Sequence, residues 1–418
     1  MPNQTHIHFH QANQEGNLGV KKNPNLLTIS SIKGNAVIIN SFSNTLTISS
    51  MWIATGTNSN SNVTVATSLD GLTWMTANNT TVGRMNAVAF SGNSFVGVGQ
   101  NSRSNFNISV SSDGDTWNTV NYNALGYYDG YGVAYGNGVW VATVDRGVSS
   151  SDRSSIIIST DGSNWQIVNS PLSGGRGVAY GQDNSTWVAV GYSNNRSSIA
   201  VSIDNGTSWL PSSNSQLQYG YSVAYGNSTW VAVGQTLSKT STFVCKSSDG
   251  SVWSVPLSSN VLSRGNAVAY GTSNRWIAVG LSNSASTIAY STNNGDSWTC
   301  SRNDPFVGGY GTGIAHSIVN RSSIWVAVGS NTNNNLSSIA ISRDNGLTWR
   351  SARNDPFMGG YATSVAYVSS YVLPVYSNNG ISFGDNLSLE FVDNKLTLVS
   401  GDKYLVFRDS VIDYLNTL

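Results

Sequence analysis

Ser68-Leu69-Asp70-Gly71-Leu72-Thr73-Trp74 is the stretch whose recurrence decides the fold. Variants of it return six times, centred on Asp113, Asp161, Asp204, Asp249, Asn293 and Asp344 and closing at Trp117, Trp165, Trp209, Trp253, Trp298 and Trp349. The closing tryptophans are 43, 48, 44, 44, 45 and 51 residues apart, which is the spacing of one structural unit with loops of variable length. Within each copy the acid can accept backbone N–H bonds, the glycine can take a positive φ, and Ser or Thr adds a hydroxyl. The motif is therefore a turn builder. Its acids sit on separate modules and are not expected to converge into a catalytic or calcium site.

Short apolar strands flank every turn. Trp52-Ile53-Ala54-Thr55-Gly56 and Val63-Thr64-Val65-Ala66 precede the first, and Ala87-Val88-Ala89-Phe90 follows it. Phe95, Trp140, Trp187, Trp230, Trp276 and Trp325 head the same strand in later units, and a companion strand recurs from Val133-Ala134-Tyr135 to Val365-Ala366-Tyr367. All 13 tryptophans fall at these two repeat positions, so they read as packing residues that hold adjacent modules together. Each unit holds about four short strands and no helical periodicity. A lone unit would expose an apolar face, whereas a ring of units covers each sheet with its neighbour. The expected fold is all-β: a seven-bladed β-propeller over residues 51–367 with β-rich N- and C-terminal extensions. Two closures are open, one by Val365-Ala366-Tyr367 and one by Ala36-Val37-Ile38-Ile39.

The form Ser-x-Asp-x-Gly-x-Thr-Trp resembles the Asp box, or BNR repeat, of sialidase-like β-propellers, where it makes the turn between the third and fourth strands of a blade. Over residues 52–367 this resemblance implies the propeller fold. It also implies what a sialidase would need: an arginine cluster for a carboxylate, a Tyr nucleophile assisted by Glu, and an Asp acid/base. Arg84, Arg176 and Arg264 can imitate the cluster, but the only glutamates, Glu15 and Glu390, lie outside the repeats. A paired-carboxylate solution would have to rest on Asp, with Asp129 the only acid at the compared strand-end positions. No catalytic residue is therefore assigned.

Of the 418 residues, 39% are hydrophobic and 10% charged, with a formal net charge of zero, so a large core is available but no basic footprint for nucleic acid. Cys245 and Cys300 read as ordinary thiols, not as a disulfide framework. No phosphate loop, zinc spacing or calcium loop appears, and no cofactor or metal is expected. No apolar run reaches membrane-span length. Residues 1–25 read as a flexible polar N-terminus without a signal peptide; His6, His8 and His10 alternate there, an arrangement that can grip a metal but reads more simply as a polar tail. Residues 26–50 form a β-rich arm and residues 368–418 a β appendage with strands at 387–391, 395–399 and 404–407. Both resemble the short strands of viral fibre segments. That points to a virion surface or the cytoplasm as the setting, and to a homo-oligomer through the extensions.

The loops ahead of the first strand of each unit should surround one mouth of the ring. Counting back four residues from the strand's central Val or Ile gives Arg84, Asp129, Gly174, Tyr219, Arg264, Tyr310 and Tyr361; counting back two gives Asn86, Tyr131, Arg176, Tyr221, Asn266, Thr312 and Thr363. Strand periodicity places both sets on one face. The ligand-binding candidates are Arg84, Asp129, Tyr131, Arg176, Tyr219, Tyr221, Arg264, Tyr310 and Tyr361, suited to hydrogen bonding, stacking or holding a carboxylate. The repeated Arg302-Asn303-Asp304-Pro305-Phe306 and Arg353-Asn354-Asp355-Pro356-Phe357 read as rigid Pro turns packed by Phe. The expected function is non-enzymatic recognition or architecture, binding a glycan or protein through a propeller face. A sialidase-like glycan hydrolase and an intracellular assembly factor are the alternatives.

Overall fold

The computed structural model describes residues 51–60, 64–77, 83–100, 106–120, 129–145, 155–193, 197–236, 243–256, 260–282, 286–319, 322–330 and 337–368, and, by their backbone, the strands that lie outside these ranges. Contacts divide the chain into two units, Trp52–Tyr367 and the combined ends Met1–Met51 and Val368–Leu418.

Trp52–Tyr367 is a propeller-like, all-β assembly of small antiparallel sheets. Arg84–Phe90, Phe95–Gln100, Phe106–Ser111 and Asn118–Val120 form one sheet in chain order. Asp129–Gly136, Val139–Asp145, Ile156–Ser159 and Gln166–Val168 form the next, and Gly174–Gly181, Thr186–Tyr192, Ile199–Ser202 and Leu210–Pro211 the one after. Tyr219–Gly226, Thr229–Gln235 and Val244–Ser247 follow, with the outer strand reduced to the bridge Lys246↔Ser254. The rest joins a twelve-stranded sheet in which the groups beginning at Leu262, Tyr310 and Tyr361 are linked by the single pairs Leu281↔Tyr310 and Ser330↔Tyr361.

That large sheet mixes the two ends of the repeat region, because Tyr361–Val368 lies beside Met51–Thr57. Thr55 Oγ1 and Thr363 Oγ1 are 2.9 Å apart across this junction. Of the two closures open from sequence, the structure uses Val365-Ala366-Tyr367, while Ala36–Ile39 pairs with Leu27–Lys33 in a separate sheet. Parallel bridges Ser213↔Val252, Arg302↔Thr348 and Thr73↔Arg353 tie the outer edge of one unit to the turn of the next. The last of them returns from the final repeat to the first, reinforced by Arg353 N–H donating to Leu72 O at 2.7 Å.

The turns explain why the pattern repeats. At Asp70 the carboxylate Oδ1 accepts from Ser68 Oγ (3.0 Å), Leu72 N (2.8 Å) and Thr73 N (2.7 Å), while Ser68 Oγ accepts from Gly71 N at 2.9 Å. Asn293 serves equally well, since its amide oxygen accepts from Ser291 Oγ and Ser297 N, both at 2.9 Å. At Asp161, hydrogen bonds from the backbone and side chain of Asn164 and from the backbone of Ser163 hold the carboxyl well below the usual range, so it stays ionised. In all seven copies the closing tryptophan's Nε1 donates to the turn glycine's carbonyl, at distances from 2.8 Å at Trp253 to 3.2 Å at Trp349. The glycine at φ 72° in the first copy, Gly71, stands where a Cβ would be only 3.0 Å from Val326 of the neighbouring unit. The turn thus closes its own sheet and lies flush against the next one.

The core lies between sheets. One cluster joins Val96, Val98 and Ile108 of one sheet to Trp140, Ile157 and Trp165 of the next, and another joins Trp52 and Trp74 to Val326, Ile339 and Ile341 across the closure. All 13 tryptophans are buried. In the three longer turns the extra asparagine, at φ 60°, 58° and 62°, accepts from the other tryptophan of its unit: Trp187 to Asn205 (3.2 Å), Trp276 to Asn294 (3.0 Å) and Trp325 to Asn345 (3.1 Å). Trp52 and Trp230, whose turns lack this residue, keep buried indole N–H groups without a partner.

The Asp-Pro-Phe turns also have a structural role. Asp304 accepts from Thr287 Oγ1 (2.8 Å) and Phe306 N (2.8 Å), Asp355 accepts from Ser338 Oγ (2.8 Å) and Phe357 N (2.9 Å), and both phenylalanines are fully buried. Cys245 and Cys300 are free, and burial pushes the Cys245 thiol up to about 11 against hydrogen bonds from the backbone of Gln216 and Leu217. In the unit of chain ends, Leu27–Lys33 runs parallel to Thr45–Ile48, which pairs with Tyr371–Pro374. Ser388–Val392, Lys395–Ser400 and Lys403–Val406 form a meander edged by Ile7–His8. The remainder of the N-terminal stretch 1–25, including His6 and His10, lies outside the described residues.

Two outcomes test these packing arguments. Asn205→Gly keeps the positive φ but strands the Trp187 indole, and urea denaturation should show a loss of about 1–2 kcal/mol. Asn205→Asp, which retains an acceptor, should lose less than half of that. His316 takes the place of the tyrosine that stacks on the strand tryptophan in most units, with its ring 4.5 Å from Trp325, and burial lowers its pKa from 6.5 to about 4. Between those values the unfolded chain binds the proton and the native chain does not, so stability falls as pH drops from about 6.5 towards 4 and then levels. His316→Tyr should remove this decline, on the order of 1 kcal/mol between pH 7 and pH 5 for a partly solvated ring.

Candidate functional site

The candidate residues lie at the starts of the first strands, the ends opposite the turn motifs. A register shift interrupts these strands at the position two before the central Val or Ile: between Met85 and Ala87, Gly130 and Gly132, Gly175 and Gly177, Gly220 and Ser222, Gly265 and Ala267, and Gly311 and Gly313. The residue inside each shift is unpaired and its side chain is re-aimed. Simple alternation therefore does not describe this end of the strand, although in five of the six at least one flanking glycine is its sequence mark.

These residues, with Thr363 at the matching position of Tyr361–Val368, divide into two groups. Asn86 Nδ2 donates to Gly130 O (2.7 Å), Asn266 Nδ2 to Gly311 O (2.7 Å), Thr312 Oγ1 to Ala362 O (2.6 Å) and Thr363 Oγ1 to Met85 O (2.6 Å). These four each lace their own first strand to the next, and Thr363 laces the last to the first. The ring of exposed polar groups expected from counting is thereby reduced to a sector, with Tyr131, Arg176 and Tyr221 at the same position on three consecutive sheets.

Close behind these residues the second strand carries a glycine in most units. At Gly191 a Cβ would stand 1.9 Å from Gly174 O, and at Gly234 1.9 Å from Tyr219 O, so the strand starts are seated directly on the neighbouring backbone. The sheet of Asp129 has Val144 at this position, followed by Asp145.

In the sector, Arg84 Nη2 contacts Asp129 Oδ2 at 3.5 Å, and Tyr131 donates its hydroxyl to the same oxygen at 3.1 Å. The Arg176 guanidinium lies 3.8 Å above the Tyr131 ring and forms an ion pair with Asp145, which also accepts from the Tyr192 hydroxyl at 2.6 Å. Tyr192 packs against Tyr219, with ring centroids 5.8 Å apart. Arg264 Nε donates to Asn266 Oδ1 at 2.9 Å, and its guanidinium lies 5.4 Å from the Tyr221 ring centroid. Burial raises the Tyr131 pKa, with Arg176 opposing and Asp129 adding to the shift. Burial and the hydrogen bond to Asp145 raise that of Tyr192 further. Both phenols are held as neutral donors.

Asp129 is not the only acid at these strand ends. Asp145 lies directly opposite it in register, on the second strand, which counting along first strands does not reach. Tyr192 escaped for the same reason. Their common signal was the residue five places after the strand-heading tryptophan: Asp145 after Trp140 and Tyr192 after Trp187. Nor do Arg84, Arg176 and Arg264 share one partner, since each is engaged by its own: Asp129, Asp145 and Asn266. Tyr310 and Tyr361 begin strands whose first residues pair with Leu281 and Ser330, joining adjacent sheets at the same end. Among the described residues no cluster of three or more His, Cys, Asp or Glu could hold a metal, and no helix is long and apolar enough to cross a membrane.

No protein-family model and no curated protein matches the chain. Solved structures do. A protein from Lactobacillus plantarum is similar with a TM-score of 0.53 at 9% identity, covering 77% of this chain and 100% of that one, a likeness of fold. YCF48 from Cyanidioschyzon merolae is similar with a TM-score of 0.45 at 16% identity, covering 80% and 98%. The GH74 enzyme of Niastella koreensis has a TM-score of 0.46 at 18% identity over 71% of this chain and 43% of the enzyme.

Asp145 holds both Arg176 and Tyr192 in a site where its own side chain is only 4% exposed. Asp145→Asn should therefore cost about 3 kcal/mol in urea denaturation, chiefly by leaving the Arg176 charge without its counter-ion. Asp145→Asn combined with Arg176→Met should recover at least half of the loss, a non-additivity expected of contacting partners.

Proposed function

We propose that the chain is a non-enzymatic recognition protein, a seven-bladed propeller of the Asp-box kind that binds a protein or glycan through the end where its first strands begin. The observation that carries this reading is the pairing within the sector: Asp129 is engaged by Arg84 and Tyr131, and Asp145 by Arg176 and Tyr192. Carboxylates held in this way orient arginine and tyrosine side chains and are poorly placed to exchange protons with a substrate. What they present to solvent is a half-buried surface of Tyr and Arg, the residue types that dominate recognition hot spots.

The seven turn copies and the return of Tyr361–Val368 to Met51–Thr57 support the blade number. The Asn- and Ser-rich, charge-poor chain and its strand-bearing ends suit a virion surface or fibre-associated protein, with the ends serving as the means of assembly.

The test is a paired screen of the full chain on a glycan array and a displayed peptide library, with Tyr219→Ala and Tyr221→Ala beside it. Binding in either format that weakens at least tenfold in these variants, with melting temperatures within about 3 °C of the parent, is the expected result. Binding untouched by both substitutions removes the site. Release of the aryl group from an arylated sialoside, above the buffer rate, overturns the non-enzymatic assignment.

A further inference from the structure

We propose that Arg264, Leu281 and Tyr310, with the Tyr221 ring supporting the guanidinium, form a docking patch for a protein segment that presents a carboxylate beside an apolar side chain. The proposal rests on the reading of this end as the recognition face and narrows its ligand to a protein.

Arg264 differs from the other two arginines of the sector. Arg84 and Arg176 meet Asp129 and Asp145, whereas no carboxylate lies within ion-pair distance of Arg264 among the described residues. It is nevertheless oriented. Its Nε donates to Asn266 Oδ1 at 2.9 Å, Asn266 is itself anchored to Gly311 O at 2.7 Å, and the Tyr221 ring supports the guanidinium at 5.4 Å. A guanidinium fixed through Nε leaves its two terminal amino groups for a bidentate partner, and a carboxylate matches that fork.

The register sets an apolar neighbour beside it. Arg264 is opposite Leu281, and Leu281 is opposite Tyr310, so three side-chain positions run in one row across adjacent strands, spanning about 10 Å. Leu281 is 39% exposed, and Val307, in the loop leading to Tyr310, is 55% exposed. The positions equivalent to Leu281 in the three preceding sheets are Asp145, Tyr192 and Gln235, so at this strand position the exposed apolar side chain stands where the arginine lacks an acid. Met358, 50% exposed, repeats the position of Val307 in the following loop. An exposed leucine set against an unneutralised arginine suits a peptide side chain in ways it does not suit a sugar hydroxyl, and Tyr and Arg are among the types enriched in protein interfaces.

A random dodecapeptide library displayed on phage and panned on the full chain tests the patch. Enriched peptides should carry Asp or Glu within two positions of Leu, Ile, Phe or Met. By fluorescence anisotropy a synthetic peptide of that sequence should bind at least tenfold more weakly to Arg264→Gln and about fivefold more weakly to Leu281→Ser. Changing the peptide's acid to its amide should cost the same tenfold on the parent and almost nothing more on Arg264→Gln. Arg264→Lys, which keeps the charge without the fork, should fall between. Enriched peptides without an acid, or an affinity unchanged in Arg264→Gln, overturn the patch; if such peptides still lose binding to Tyr219→Ala, the recognition face stands and only its Arg264 assignment fails. Glycan binding with no enriched peptide overturns the protein assignment alone, and binding in neither format overturns both.

Discussion

The hydrogen bond from each closing tryptophan to its turn glycine is the contact on which the rest of the molecule depends. It requires a glycine at positive φ, a carboxylate or amide oxygen to gather the backbone N–H groups, and a serine to orient that oxygen. Once formed, it places an indole in the space between two sheets and lays a Cβ-less residue against the neighbouring unit. A single geometric device, repeated, therefore closes a sheet and docks it at once. This is why the core is distributed among the junctions and not concentrated at one centre.

At the other end of the strands the same need for cohesion takes a different form. A register shift re-aims one side chain on six of the first strands, and three of these side chains, with Thr363 at the matching position of Tyr361–Val368, lace consecutive strands together. Only where the lacing is relaxed, at Tyr131, Arg176 and Tyr221, do larger groups occupy the position. The charge there is organised by Asp145, a buried acid that serves Arg176 and Tyr192 together. This sector is thus a local exception to the lacing, and its arginines differ in whether an acid stands against them.

Much of this architecture was legible along the chain. The spacing of Trp74 to Trp349 announced a repeated unit, the turn chemistry followed from Ser, Asp and Gly, and the confinement of tryptophan to two positions marked the core. The nine candidate residues were reachable by counting along one strand type. Asp145 and Tyr192 were not, because they stand on the second strand and only the antiparallel register brings Asp145 opposite Asp129. The register shifts were also hidden, although glycines flank most of them: a glycine permits a bulge without dictating which side chain it releases.

By itself the sequence determined the all-β class, the repeat and the structural role of its seven acids and amides, since those depend on local hydrogen bonding and on the fixed spacing of large apolar side chains. Only the tertiary structure decided that Tyr361–Val368 and not Ala36–Ile39 lies beside Met51–Thr57, and that Arg84 and Arg176 are neutralised while Arg264 is not. Both outcomes turn on residues far apart in the chain. Strand propensity is much the same for either closing segment, and an arginine's charge is available or consumed according to which neighbouring strand sets an acid against it.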